Sequence, residues 1–311
     1  MNGQRRSTLQ FPPDGVLRVL GVHDPLSALV ASGGGFDALW VSSFGVSAAC
    51  FGIPDSGLIS AAEMLETVRR IRLASALPLI IDADTGYGGI LNVRRFVREA
   101  ELVGAAAICI EDAEFPKRNS FLENRGRRLA TIETMCARLR AACQSRSDGA
   151  GPLILARTEA MVQGYGVEEA LARATAYVAA GATAVVAHST NTAGTDVLEF
   201  AARWERRRPL VVIPTAYPSV TLQQLSDAGA SAVVLANQLL RSAYRAMQEV
   251  RRALAEAAAP VEVDAQLCSM TDIHSAVGAQ RELSFEAEVE RAVAAAARTH
   301  LRPGATSRVL A

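Results

Sequence analysis

Two apolar runs in this chain stop at acids. Leu79-Ile-Ile-Asp-Ala-Asp-Thr-Gly-Tyr-Gly88 places Asp82 and Asp84 at the end of the first, and Ile110-Glu-Asp-Ala-Glu-Phe-Pro-Lys-Arg-Asn-Ser120 places Glu111 and Asp112 at the end of the second. A third run ends in Arg157-Thr158-Glu159. Buried parallel strands read as continuous apolar runs, so acids at their C-terminal ends are expected at one rim of a sheet. Carboxylates gathered there suit a hard cation such as Mg²⁺, which prefers oxygen ligands and keeps several waters. The alternative is local: Asp84-Thr-Gly as turn chemistry and Glu111-Asp112 as a cap.

Those acids need elements to carry them. Strands are expected at residues 17–22, 38–42, 79–83, 106–110, 153–156, 184–187, 210–213 and 232–235, with helical stretches between them. Ser60, followed three residues later by Glu63, has the form of a capping box for a helix over 60–74. Eight strands separated by helices predict an α/β fold of the (β/α)8 TIM-barrel type, occupying residues 15–258. Residues 259–300 hold two further helical runs, around 270–280 and 285–299, expected to dock on the barrel or on a partner subunit. Residues 1–14 and 301–311 are expected to be disordered tails.

The active site of such a barrel lies at the strand C-terminal ends. That rule gathers Trp40, Ser42, Asp82, Asp84, Glu111, Arg157, Glu159, His188, Thr215 and Asn237. A carboxylate cluster then faces an Arg–His pair, the layout for a metal-bound substrate with a second anionic group. Structural readings stand beside this one. Arg157 could pair with Glu159 or Glu111, His188 could be a core histidine, and His23 could brace the rim.

Composition narrows the classes. Of 311 residues, Lys+Arg and Asp+Glu are each 32, so no basic stripe points to nucleic acid and no net charge to a membrane surface. No apolar run approaches the ~20 residues of a membrane span. Five scattered cysteines without a CxxC pair read as reduced thiols, which with no secretory signal predicts a cytoplasmic protein. Arg5-Arg6 precedes Phe11-Pro-Pro rather than an apolar segment, so it is not read as an export signal.

The motifs resemble the phosphoenolpyruvate mutase/isocitrate lyase superfamily, and its phosphoenolpyruvate mutase branch most closely. Glu111-Asp-x-x-Phe-Pro-Lys-x-Asn-Ser120 is the most specific, supported by His23-Asp-Pro-Leu-Ser-Ala28, Pro54-Asp55, the 82–88 stretch, Ala156-Arg-Thr-Glu-Ala160, Ala187-His-Ser189 and Val212-Ile-Pro-Thr215. The resemblance implies a barrel whose last helix is swapped onto a partner in a homodimer or homotetramer. It implies Mg²⁺, replaceable by Mn²⁺, at Asp82 directly and at Asp84, Asp55 and Glu111 partly through water. It places a pyruvyl carboxylate by Ser42, Ser43 and Phe44 under Trp40, and a phosphoryl group on Arg157, His188 and Asn119. Glu159, Ser189 and Thr215 join the substrate contacts, and Lys117 the catalytic set. Residues 113–124 become a gate. The implied reaction interconverts phosphoenolpyruvate and 3-phosphonopyruvate, the P–C bond-forming step of phosphonate biosynthesis. Where the family usually carries a lysine, this chain has Ala113; Lys117 and Arg118 remain to compensate. Competing expectations are a phosphonopyruvate hydrolase, which usually has threonine in place of Asn119, a methylisocitrate-type lyase, which needs a loop cysteine absent here, and an inactive metabolite-binding homologue.

Overall fold

A computed structural model of the chain describes residues 8–120, 128–147 and 151–300. Eight parallel strands close into a barrel in sequence order: β1 (Leu17–Val22), β2 (Ala38–Val41), β3 (Leu79–Asp82), β4 (Ala107–Glu111), β5 (Leu153–Thr158), β6 (Ala184–Ala187), β7 (Leu210–Val212) and β8 (Ala232–Leu235). The helices between them are α1 (Pro25–Ala31), α2 (Ser43–Val46), α3 (Ala61–Ala74), α4 (Ile90–Leu102), α5 (Ile132–Gln144), α6 (Gly166–Ala179), α7 (Thr195–Trp204) and α8 (Leu222–Asp227), with α9 (Gln238–Glu256) after β8. Local signals start several of them. Ser60 and Glu63 form the expected capping box on α3, and Thr221 with Gln224 forms another on α8.

Side-chain alternation along the strands builds two layers. Val19, Trp40, Ile80, Cys109, Leu155, Val186, Val211 and Val234 fill the interior. Their neighbours in sequence, such as Leu39, Ile81, Ile108 and Ile154, share a cluster with Met64, Val68, Phe96 and Leu139 of the helices. The seam between β1 and β8 is tight: a Cβ on Gly21 would lie 1.9 Å from the Ala236 carbonyl oxygen, so only glycine fits.

The stretch after β2 is helical, α2 followed by a π-helical turn at Ser47–Phe51. Two expectations change. β5 runs on to Thr158, pairing Arg157 with Glu111 of β4. The described part of the expected N-terminal tail, residues 8–14, is not free of the barrel, because Leu9 is buried in the cluster that holds Val19 and Ala38. Residues 1–7 and 301–311 lie outside the described residues.

Contacts divide the chain into two compact units at Ala246/Met247, inside α9 rather than after its end. The second unit contains a 3-10 turn (Pro260–Gln266), α10 (Met270–Ala276) and α11 (Ala279–His300). Met270, Leu283, Phe285 and Val293 on these helices are exposed. No helix among the described residues is long and apolar enough to cross a membrane.

Candidate active site

Counting in twos from the interior layer explains where the chemistry lies. Trp40 leads to Ser42, Ile80 to Asp82, Cys109 to Glu111, Leu155 to Arg157 and Val186 to His188. A period of two keeps each pair on one face. The barrel axis therefore receives two serially distant acids, an arginine and a histidine at its C-terminal end, and a cavity of about 500 Å³ opens there. Ser42, Asp55, Asp82, Lys117 and Asn119 line one side. Ser120, Arg157 and His188 line another, and Thr215, Asn237 and Arg241 a third. Trp40, 1 % exposed, is the floor of this cavity and not a roof over it.

The acid side is bound together by Lys117. Its ammonium lies 3.0 Å from Asp55 Oδ1 and 2.5 Å from Asp84 Oδ1, and donates to Ser43 Oγ at 2.8 Å. Ser43 Oγ donates in turn to Asp82 Oδ2 at 2.9 Å, and Asn119 Nδ2 donates to Asp55 Oδ2 at 2.7 Å. Burial works against the charge on Lys117, but Asp84 and Asp55 outweigh it and hold its pKa well above the ordinary value. Asp84 sits in the left-handed backbone region at φ 50°, a conformation aspartate tolerates better than most residues.

The opposite side is built on Glu159. Its Oε1 accepts from Arg157 Nε at 2.7 Å, and its Oε2 accepts from Ser120 Oγ at 2.7 Å. Arg157 Nη2 reaches Ser120 Oγ at 3.1 Å and His188 Nδ1 at 2.8 Å, while His188 Nδ1 is 3.0 Å from Glu159 Oε1. One imidazole nitrogen cannot accept from Arg157 and donate to Glu159 together, so the tautomer decides which contact is the hydrogen bond. Burial opposes the charge on Glu159, yet Arg157 and His188 hold its carboxyl well below the usual range. The pairing of Arg157 with Glu159, weighed above as a structural alternative, is present; Arg157 faces the cavity as well.

Behind this wall Asp112 points to the outer layer. It accepts from Tyr177 Oη at 2.8 Å, Thr158 Oγ1 at 3.0 Å, the Glu159 N–H at 2.8 Å and Arg173 Nη1 at 3.2 Å. The network fixes the end of β5, and with it Arg157 and Glu159.

The balance of charge bears on a metal. Asp55, Asp82, Asp84, Glu111 and Glu159 face Lys117 and Arg157. Burial pushes Asp84 up to about 6, against Lys117 and reinforced by Asp82 and Asp55. Burial likewise pushes Glu111 up to about 8, with Arg157 and Lys117 opposing. Surplus buried carboxylate with hard oxygen donors fits a divalent cation that takes a few direct ligands and completes its shell with water. Among the described residues no three acids form a ready-made cage.

Of the residues expected from sequence, Ser43, Asp84, Glu111 and Glu159 stand behind the lining side chains and contact them. Phe44 lines the cavity, 36 % exposed. Ser189 does not: it is fully buried and donates to Asp196 at 2.5 Å. Being adjacent to His188 on an alternating chain, it points the other way, a signal legible in advance. Arg241 was not anticipated, because a single arginine in a helix carries no local mark. Gate residues 121–124 lie outside the described residues.

The family model for phosphoenolpyruvate phosphomutase matches residues 8–255. The chain belongs to this family. A phosphoenolpyruvate phosphomutase from Streptomyces hygroscopicus is 39 % identical over 249 residues, 80 % of this chain and 78 % of the relative. A phosphonopyruvate hydrolase from Variovorax sp. (strain Pal2) is 36 % identical over 271 residues, 86 % and 92 % of the two chains. Among solved structures, a phosphoenolpyruvate phosphomutase from Streptomyces platensis subsp. rosaceus superposes with a TM-score of 0.86 at 35 % identity, covering 89 % of this chain and 96 % of that one. A phosphonopyruvate hydrolase in complex with oxalate and Mg²⁺ superposes at 0.81 and 34 % identity, covering 88 % and 93 %. The chain is thus similar to enzymes named for more than one activity.

Proposed function

We propose that the chain interconverts phosphoenolpyruvate and 3-phosphonopyruvate. The observation that carries this is Asn119 in the gate, placed in one cavity with Arg157 and His188. Two cationic or donor groups and an amide around one space suit a migrating phosphoryl group, whose charge is spread over three oxygens.

Asp82, with Asp84, Asp55 and Glu111 partly through water, would hold Mg²⁺ or Mn²⁺, which supplies charge stabilisation to an enolate oxygen. Every other part of the reading concerns the protein's own groups. Ser42, Ser43 and Phe44, above the Trp40 floor, receive the pyruvyl carboxylate. Arg157 and His188 grip the phosphoryl oxygens, oriented by Glu159, and Thr215 borders the same space. Asn119 exchanges its hold on Asp55 for a phosphoryl oxygen. Lys117 keeps the gate base against the acids. The closed gate excludes water, which would otherwise take the phosphoryl group.

A hydrolase on the same scaffold is the competing outcome, and Asn119 rather than threonine speaks against it. A lyase is disfavoured because residues 111–130 contain no cysteine. Incubation with phosphonopyruvate and Mg²⁺, followed by phosphorus NMR, tests the reading. Phosphoenolpyruvate is expected; inorganic phosphate alone would move the chain to the hydrolases. The exposed apolar side chains of α10 and α11 support a homodimer or homotetramer in which residues 259–300 dock on a partner, and the cysteine usage supports a cytoplasmic setting.

A further inference from the structure

The described part of the gate, residues 113–120, touches both halves of the cavity within four positions. Lys117 and Asn119 engage the acid side, as given above. Ser120 crosses to the other side, where its hydroxyl donates to Glu159 Oε2 at 2.7 Å and accepts from Arg157 Nη2 at 3.1 Å. Arg157 Nε and Glu159 Oε1 complete the triangle at 2.7 Å. Glu159 is fully buried and Arg157 is 7 % exposed, so both of the serine's bonds are made to charged groups away from water. Such bonds are stronger than neutral ones.

We infer that Ser120 is a positioning residue: its hydroxyl latches the closed gate to the Arg157–Glu159 pair, so that closure and the aim of the guanidinium are set together. With the gate lifted, Arg157 Nη2 loses Ser120 and keeps only its contact with His188 of the two described above. The guanidinium then has one fewer contact to fix its plane, and the phosphoryl grip is assembled only when water is already shut out. A hydroxyl can donate and accept at once, which alanine cannot do and threonine can. The role of Ser120 in turnover rests on the proposed function; the latch itself rests on the Ser120–Glu159 and Ser120–Arg157 contacts.

The test compares full-length wild type, Ser120→Ala and Ser120→Thr. Hydrogen exchange of peptides covering residues 113–120 is measured in buffer and then with Mg²⁺ and oxalate, together with kcat and KM for phosphonopyruvate. Loss of a charge-assisted bond predicts exchange about tenfold faster in Ser120→Ala, and kcat about tenfold lower with KM changed less than about threefold. Ser120→Thr should stay within about threefold of wild type on each measure, because it keeps the hydroxyl. A purely structural role would lower thermal stability in Ser120→Ala without separating kcat from KM. Wild-type exchange in Ser120→Ala, or loss as great in Ser120→Thr as in Ser120→Ala, overturns the latch. Absence of turnover by the wild-type protein sinks the functional reading instead, since the exchange comparison needs no reaction.

Discussion

The Lys117 ammonium stands 3.0 Å from Asp55 Oδ1, with 5 % and 4 % of the two side chains exposed. The backbones meet at the same place. Gly57 has φ 68°, and a Cβ added there would lie 3.3 Å from the Lys117 nitrogen. The loop that carries Asp55 and the base of the gate therefore form one packed unit. Ala113, where the family usually has a lysine, is 5 % exposed, and its carbonyl accepts from Arg138. Lys117 supplies the buried positive charge beside Asp55 and Asp84.

Metal dependence follows from the acid side. Activity should vanish with EDTA and return with Mg²⁺ or Mn²⁺. Asp82→Ala should abolish it, and Asp84→Ala should weaken metal binding less, since a water-bridged contact is softer than a direct one. Full activity in Asp82→Ala, measured under saturating metal, would remove Asp82 from the site.

Asn119→Ala should cut turnover by roughly 10²–10³, the range for losing one donor to a transition state. Thermal stability should hardly move, because a loop residue adds little to the core. Phosphorus NMR of the residual reaction should show a larger share of inorganic phosphate. An unchanged rate and product would make the asparagine a bystander.

Tyr177→Phe removes one of the donors to Asp112 and leaves a buried carboxylate short of a partner. A loss of about 1–2 kcal/mol in urea unfolding is expected. Because Asp112 also holds the Glu159 N–H, KM should rise as well. Equal stability in the two proteins would mean that the network does not depend on this hydroxyl.

His23 gives a pH dependence. Burial holds its pKa below the ordinary 6.5, with Asp24 opposing. Between the two values the unfolded chain binds the extra proton, so stability rises with pH there. The contribution is present above 6.5 and is lost as pH falls through the lowered folded value. Urea midpoints taken from pH 8 down to 5 should fall more steeply for wild type than for His23→Gln. Parallel curves would assign the acid sensitivity to other groups.

Removing residues 260–311 tests the assembly. Truncation should yield aggregated or unstable protein if a partner covers these helices. A soluble, fully active monomer by light scattering would end the swapped-helix reading.

The fold was legible because its signals are local. Apolar runs, the Ser60–Glu63 box and strand-end acids are each written within a few residues. The alternation of strands also foretold which side chains face the axis, and ignoring it is what misplaced Ser189. The Lys117–Asp55 pair was not legible, since its members belong to different βα units and meet only when the barrel closes. The resemblance put the carboxylate under Trp40, since sequence gives no depth; its place two residues below Ser42 makes it a floor. The extension of β5 rests on its ladders with both neighbours, Arg157 paired with Glu111 and Thr158 with Ala187, contacts across the sheet that leave no trace in the run of residues 153–156.

The short stretch from Lys117 to Ser120 has a phase. Lys117 and Asn119 turn to the acids, Ser120 turns to the arginine, and Arg118 between them is exposed. Identity at position 118 is therefore free to drift, but length is not. One residue inserted or deleted here would hand the lysine's place to a neighbour and send the serine to the wrong bank of the cavity. The gate resembles a key whose notches matter by their interval, and a loop graft between relatives should be judged first by whether it preserves that count.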